Sequence, residues 1–389
     1  MLQSALGEYL IPLKSPASDE VKSAFERALE LGQRLGDFDQ LFRAVFGLQF
    51  FYSLRQELKT AREIGERQLM FAERTQDPSK RAAACGALAT TMLMCGEFET
   101  VLELCERGLA AAATADSSKL SIGNPRTLML SLSASSLLIL GYPARALERS
   151  RAALAAGEAV GPYSHAMALN YAGQLRIRLC DFERALEYAD ALAALANDKG
   201  FPVWRAQATY LRGSALAESG QPEEGLTLLR ASAAAYESTG AVAGIWRLDG
   251  ADALGKAGRA EEGLELLARL RETAERDGIE LIASGIARVH AALILRTGVP
   301  DADAAAEESL RDAIAIARRQ RAKLFELRAA VELARLLAAR GHHAEAHAAL
   351  APSYAAFADG FDFLYLTDAR ALLAEIAEKT GQAESRVTS

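Results

Sequence analysis

Apolar residues recur along the chain at intervals of three and four, the spacing of helices with one buried face, and the alternating runs that would mark strands are absent. The helical segments fall into pairs joined by tight turns at Gly96, Gly141, Cys180, Gly220, Gly258, Gly298 and Gly341, spaced 45, 39, 40, 38, 40 and 43 residues apart. Seven residues before each turn stands a small residue: Ala89, Ala134, Gly173, Gly213, Ala251, Ala291 and Ala334. Five residues after most turns stands another, or a valine (Val101, Ala146, Ala185, Gly225, Gly263, Ala346), usually followed by leucine. Small residues at fixed places let two helices cross closely while leucine fills the seam between them. A helical repeat of this length cannot bury its apolar face alone, so neighbours must stack, and the expected fold is all-α, a right-handed α-solenoid of antiparallel helix pairs.

The pattern predicts a single helix at 18–34. Pairs follow at 38–55 and 57–75, 78–95 and 98–112, 125–140 and 143–157, 162–179 and 182–197, and 202–219 and 222–238. Further pairs are expected at 241–256 and 260–276, 279–296 and 302–319, and 321–340 and 343–357, with a terminal helix at 363–378. Residues 1–16 read as a lead-in, 17–378 as one continuous repeat array and 379–389 as a tail without fixed structure. The polar connection 113–124 reads as a projecting loop. Pro78, Pro125, Pro162 and Pro202 sit where helices should start, whereas Pro352 falls inside one and predicts a break or kink. The single opening helix predicts an uncovered end that a partner would close.

Step by step, the motif from turn to second helix, as in Cys180-Asp181-Phe182-Glu183-Arg184-Ala185-Leu186 and Gly220-Gln221-Pro222-Glu223-Glu224-Gly225-Leu226, looks like the middle of a tetratricopeptide repeat with longer helices. Longer phrases carry a further likeness. They include Phe46-Gly47-Leu48 with Phe51-Tyr52, Gly141-Tyr142-Pro143 with Ala146-Leu147, Gly200-Phe201-Pro202-Val203-Trp204, RGSALAESGQPEEGLTLLR at 212–230, GKAGRAEEGLELL at 255–267, ARRQRAKLFELRAAVELARLL at 317–337 and GFDFLYLTDARALL at 360–373. In this order the chain resembles the C-terminal tetratricopeptide-repeat region of bacterial multidomain regulators, which carry an adenylate/guanylate cyclase domain and a P-loop ATPase ahead of it. The resemblance implies a sensing or partner-binding arm, with such a cyclase or ATPase domain as partner at the N-terminal end. That family's catalytic residues have no counterparts here. The loop before Pro125 reads Gly123-Asn124 where the family has a carboxylate, which removes any role that carboxylate plays.

Charge and composition narrow the function. The net charge of −7 lacks the basic excess of a nucleic-acid binder. No apolar stretch approaches membrane-spanning length and no secretory leader is evident, which leads to the expectation of a cytoplasmic protein acting without nucleic acid or membrane. Cys85, Cys95, Cys105 and Cys180 show no metal spacing and read as reduced thiols. Gly250-Ala251-Asp252-Ala253-Leu254-Gly255-Lys256-Ala257 nearly spells a phosphate loop but lacks the final Ser or Thr and falls within a helix. His342, His343, His347 and Glu345 surround a turn; they read as a polar helix start rather than a metal site. His165 and His290 stand alone, and no Ser-His-Asp or Cys-His set can be argued. Glu223 and Glu224, and Glu261 and Glu262, complement the dipoles of helix starts. Phe46, Phe50, Phe51 and Tyr52 read as core or as cover for the N-terminal end, and Trp204 and Trp246 as packing residues. No catalytic residue and no cofactor is expected.

The concave face is the stronger candidate. With the small residue as register, the first helices present Asn170, Gln174, Arg178, Gln207, Tyr210, Ser214, Asp252, Lys256, Arg288, Arg296, Arg328 and Arg335. An uncharged polar middle with an arginine-rich end suits a protein or peptide partner with an extended acidic segment. Three readings follow: a non-enzymatic interaction scaffold with a regulatory role, a solenoid that senses a small molecule and changes shape, and a fragment of a cyclase/ATPase regulator. A deep aromatic-lined pocket would favour the second.

Overall fold

The computed structural model describes residues 2–115, 124–360 and 362–387, and nearly all of them are helical. Nineteen α-helices stand among the described residues, with one short 3₁₀ turn at Glu280–Ile282. The first six are α1 (Leu2–Leu13), α2 (Asp19–Leu35), α3 (Phe38–Leu54), α4 (Leu58–Thr75), α5 (Pro78–Met94) and α6 (Phe98–Ala112). The middle of the chain forms α7 (Pro125–Ile139), α8 (Pro143–Val160), α9 (Pro162–Arg178), α10 (Phe182–Lys199), α11 (Pro202–Glu218) and α12 (Pro222–Glu237). The remainder forms α13 (Gly244–Lys256), α14 (Ala260–Asp277), α15 (Ala283–Thr297), α16 (Ala302–Arg319), α17 (Lys323–Ala339), α18 (His343–Ala355) and α19 (Leu364–Val387). Each helix packs on the next, and alternate helices from α3 to α17 touch as well, which is the stacking of an α-solenoid.

The turn signals work as the pattern requires. All seven turn residues adopt positive φ, from +58° at Cys180 to +96° at Gly220. The small residues seven positions upstream are buried, and two of them show why they are small. A Cβ on Gly213 would lie 3.0 Å from the Gly225 carbonyl oxygen, and one on Gly225 would lie 2.6 Å from the backbone nitrogen of Ala217. These two glycines hold α11 and α12 in backbone contact.

Four local expectations are corrected. The segment read as a lead-in forms α1, which packs on α2 and α3 and also reaches α11, so the opening helix at 19–35 is paired. Helix α18 runs through Pro352 and ends three residues later. Helix α19 continues to Val387, well beyond 378. Helix α13 begins at Gly244, three residues later than expected, because Ala241–Ala243 are committed elsewhere. The expected loop at 113–124 lies mostly outside the described residues.

That commitment is the main surprise of the fold: successive turns of the superhelix touch. The Val242 N–H donates to the Leu54 carbonyl at 3.1 Å. Beside it, Arg55 Nη1 donates to the Gly240 carbonyl and Gln56 Nε2 to the Val242 carbonyl, each at 3.4 Å. Further along, Arg321 Nη1 meets both carboxylate oxygens of Glu99 at 2.8 Å, and the Phe98 and Phe325 rings meet edge to face with centroids 6.0 Å apart. Beyond that, Lys323 Nζ lies 5.1 Å from the centre of the Tyr142 ring and the Ala144 N–H donates to Asp359. The partners in these hydrogen bonds stand 185 to 222 residues apart in sequence. The concave face is therefore narrowed into a partly closed interior instead of a fully open groove.

Candidate functional site: two chambers inside the superhelix

Two adjoining chambers occupy the interior, and the first helices of successive pairs line both. The larger has a volume of about 240 Å³ and is mostly apolar and aromatic. Phe46 and Phe50 enter it from α3, Tyr163 and Tyr171 from α9, Trp204 from α11 and Trp246 from α13. The rings hold one another in place: Tyr163 packs edge-on against Trp204, and Trp246 stacks on Tyr210 with centroids 5.1 Å apart. Helix α1 closes one side with Ile11 and Glu8; burial pushes the Glu8 carboxyl up, opposed by Arg43 at 3.5 Å. Phe51 and Tyr52 instead pack away from the chamber against α2. Thus the aromatic run at 46–52 divides between chamber wall and core, and both tryptophans line a cavity rather than only filling space.

Several buried polar atoms of residues lining this chamber have no hydrogen-bond partner among the described residues. They are Asn170 Oδ1, Trp204 Nε1, Gln207 Oε1 and Gln56 Oε1. Buried polar atoms left unpaired cost free energy, so four of them beside one cavity is unusual.

The second chamber, about 100 Å³, is polar and shares Gln174, Arg178, Ile245, Leu281 and Ile282 with the first. Here a chain of ion pairs steps down the first helices. Glu218 Oε1 on α11 meets Lys256 Nζ on α13 at 2.6 Å, and Lys256 meets Asp252 one turn away at 3.2 Å. Asp252 faces Arg288 on α15 at 3.6 Å, and Arg288 Nη1 donates to Glu332 on α17 at 2.7 Å. Burial alone would raise the Asp252 carboxyl, but Arg288 and Lys256 together hold it down at about 2. For Arg288, burial works against the charge, and Glu332 and Asp252 more than offset it.

Three charges in this chamber stand outside the chain of pairs. Asp249 is half-buried, and burial raises its carboxyl even though Tyr210 Oη and Ser214 Oγ donate to its Oδ2 at 2.8 and 2.9 Å. Arg178 is depressed by burial, partly offset by Tyr210 and Asp249. Arg178 and Arg328 make no ion pair or hydrogen bond among the described residues.

The sequence-derived set is thus largely assembled. Asn170 and Gln207 line the large chamber; Tyr210, Ser214, Asp252, Arg288 and Arg328 line the small one; Gln174 and Arg178 line both. Lys256 sits beside the set, held by Glu218. Arg296 and Arg335 stand exposed and line neither chamber; Arg296 donates to the carbonyl of Ala292 in its own helix. The acid-gripping arginine end is corrected in one respect: Arg288 is already spent on Glu332 and Asp252. Asp249 and the aromatic wall were missed, although Asp249 lies one turn before its equivalent-face neighbour Asp252 and shares the first-helix register.

Other candidates resolve simply. The near phosphate loop lies within α13 up to Lys256, and its aspartate and lysine are both paired. His342 Nδ1 lies 3.3 Å from Glu345, and His290 Nδ1 pairs with Ser309 Oγ at 2.9 Å. Among the described residues no group of three or more His, Cys, Asp or Glu side chains is placed to hold a metal ion. No helix among them is long and apolar enough to cross a membrane. Burial pushes the Cys85 thiol up to about 11 and Cys105 to about 12, and all four cysteines are free.

The arrangement defines a tetratricopeptide-like helical-repeat solenoid. No family model and no curated protein matches the chain. Among solved structures, a Rap protein complexed with Competence and Sporulation Factor is similar over 96% of this chain and 98% of its own, at 13% identity and a TM-score of 0.60. The apo form of the quorum sensor NprR from B. thuringiensis is similar over 91% of this chain and 98% of its own, at 14% identity and a TM-score of 0.52. At these identities the likeness is one of fold.

Proposed function

We propose that this chain is a non-enzymatic regulatory scaffold of a bacterial signalling system, in which a ligand held inside the superhelix sets how the chain engages a protein partner. The observation that carries the reading is the partly closed aromatic chamber of about 240 Å³ with its row of unpaired polar atoms. Large apolar pockets with a few convergent polar groups are binding sites by their physical design. The fold likeness supports the same direction, since one similar structure is complexed with Competence and Sporulation Factor and another is a quorum sensor.

The partner surface in this reading is the N-terminal end. Leu6, Tyr9, Leu13, Leu31, Leu35 and Phe38 are all exposed there, a density of apolar side chains that suits docking. A cyclase or P-loop ATPase domain is the partner that the resemblance implies. The four free thiols fit a reducing cytoplasm.

The test compares partner capture by the native chain, an interior variant (Asn170→Ala with Gln207→Ala) and an end variant (Leu13→Glu with Leu35→Glu), read by quantitative mass spectrometry. A protein captured by the native chain and depleted from either variant supports the reading. Equal capture by all three overturns it.

A further inference from the structure

The small chamber holds two guanidiniums, Arg178 and Arg328, that make no ion pair or hydrogen bond among the described residues, and a carboxylate, Asp249, whose hydrogen bonds come from two hydroxyls. Both hydroxyl donors on Asp249 go to Oδ2, which leaves Oδ1 without a hydrogen bond among the described residues. All three are half-buried, so a ligand in the chamber that supplies a counter-charge meets them in a partly desolvated setting where charge-assisted bonds are stronger than in water. Two guanidinium forks suit a carboxylate, which each can meet with parallel N–H bonds. A doubly charged phosphate suits the chamber poorly, because Glu218, Asp249 and Asp252 share its wall. A single negative charge with an N–H donor beside it satisfies both the arginines and Asp249.

The shared wall adds the third requirement. Arg178 and Gln174 line both chambers, so a group bound at the arginines has its next atoms at the mouth of the aromatic chamber. That chamber exceeds the roughly 150 Å³ at which an apolar cavity already admits benzene. Asn170 Oδ1 and Gln207 Oε1, both unpaired, offer acceptors for further N–H groups along the way.

We propose that the two chambers together take an amino-acid unit with a free α-carboxylate and a large apolar side chain, either the C-terminal residue of a peptide or a free amino acid. The carboxylate lies between Arg178 and Arg328, the nitrogen donates to Asp249, and the side chain enters the aromatic chamber. The proposal rests on the interior-ligand reading above and names its chemistry.

The chain reports on this site by itself. Its only two tryptophans, Trp204 and Trp246, both line the larger chamber, so selectively excited indole fluorescence follows occupancy. The probes are glycyl-L-phenylalanine, L-phenylalanine, L-phenylalaninamide and 3-phenylpropionate, titrated into the native chain. A saturable change with an acid, at least about tenfold weaker with the amide, is expected. Loss of the nitrogen in 3-phenylpropionate weakens binding less than loss of the carboxylate. Arg328→Gln lowers affinity for the acids about tenfold and leaves the amide unchanged. A tighter dipeptide identifies a peptide end and a tighter free amino acid identifies a metabolite; either supports the shared chemistry. No fluorescence change at millimolar acid, or an amide that binds as well as the acid, overturns the proposal. The acid-to-amide comparison needs no variant and stands even where Arg328→Gln disturbs folding. Partner capture that persists without acid binding overturns this inference alone.

Discussion

Arg288 donates to Glu332 at 2.7 Å across 44 residues of sequence, and that contact fixes the arginine as part of the wall instead of a free hand for a ligand. Its other neighbour, Asp252, is buried and depends on it for charge. Arg288→Met leaves Glu332 without its ion pair and Asp252 with Lys256 as its close cationic partner, and is expected to cost about 1–3 kcal/mol. Arg328→Met removes a half-buried charge that makes no ion pair or hydrogen bond among the described residues and is expected to change stability by under about 1 kcal/mol. Urea unfolding of the two variants checks the contrast, and equal losses would remove the distinction drawn between these arginines.

The same cluster gives a pH dependence with a definite sign. The Asp252 carboxyl sits at about 2 in the folded chain against an ordinary value of 3.8, so in that window the unfolded chain binds more protons. Its contribution is fully present well above 3.8 and is lost as the pH falls through 3.8 toward 2. Asp249 runs the other way: its raised carboxyl favours the folded chain below the ordinary value, and that contribution is lost as the pH rises. Asp252→Asn should therefore flatten the acid limb of a stability curve, whereas Asp249→Asn should raise the melting temperature at neutral pH. Thermal melts from pH 2 to 7 read both.

Two glycines make opposite predictions from their surroundings. A Cβ at Gly225 would press on the Ala217 nitrogen and the Gly213 carbonyl oxygen, both at 2.6 Å and both backbone. Gly225→Ala must push α11 and α12 apart and is expected to cost about 1–3 kcal/mol. At Gly250, inside α13, a Cβ would meet only a Leu266 methyl at 3.8 Å. Gly250→Ala is expected to stabilise the chain by about 0.5–1 kcal/mol through helix propensity. Melting temperatures moving in the same direction would contradict the packing described for one of the two sites.

Contact between superhelical turns can be loosened without touching either chamber's charges. Arg55→Ala with Gln56→Ala removes the side-chain hydrogen bonds to Gly240 and Val242 while leaving the Val242–Leu54 backbone bond. A loss of about 1–2 kcal/mol is expected, with a larger radius of gyration in small-angle scattering. An unchanged radius with unchanged stability would show that these bonds do not hold the turns together.

The repeat was legible because its rules are local. Turn glycines, small residues at crossings and leucines in the seam act within about forty residues, and all seven turn positions took the backbone conformation their spacing implies. The interior register was legible for the same reason, which is why Asn170, Gln174, Arg178, Gln207, Tyr210 and Ser214 meet. What escaped depends on distance. Nothing near Arg288 in sequence announces Glu332, and nothing near Ala241 announces Leu54. Helix α1 was hidden for a different reason: LQSALGEYLIPL carries a proline at position 12 and no acidic first turn or basic last turn, so the ordinary signs of helix ends are missing.

Because winding brings together segments 185 to 222 residues apart, this solenoid departs from the folding habits of its class. Ordinary repeat arrays gain their stability from nearest neighbours and can grow from any starting point. Here the last contacts to form close very long loops, whose entropy must be met by structure already in place. Newly made helix pairs can assemble as they leave the ribosome, yet the larger chamber comes into being only when the N-terminal helices dock against the segment 242–282.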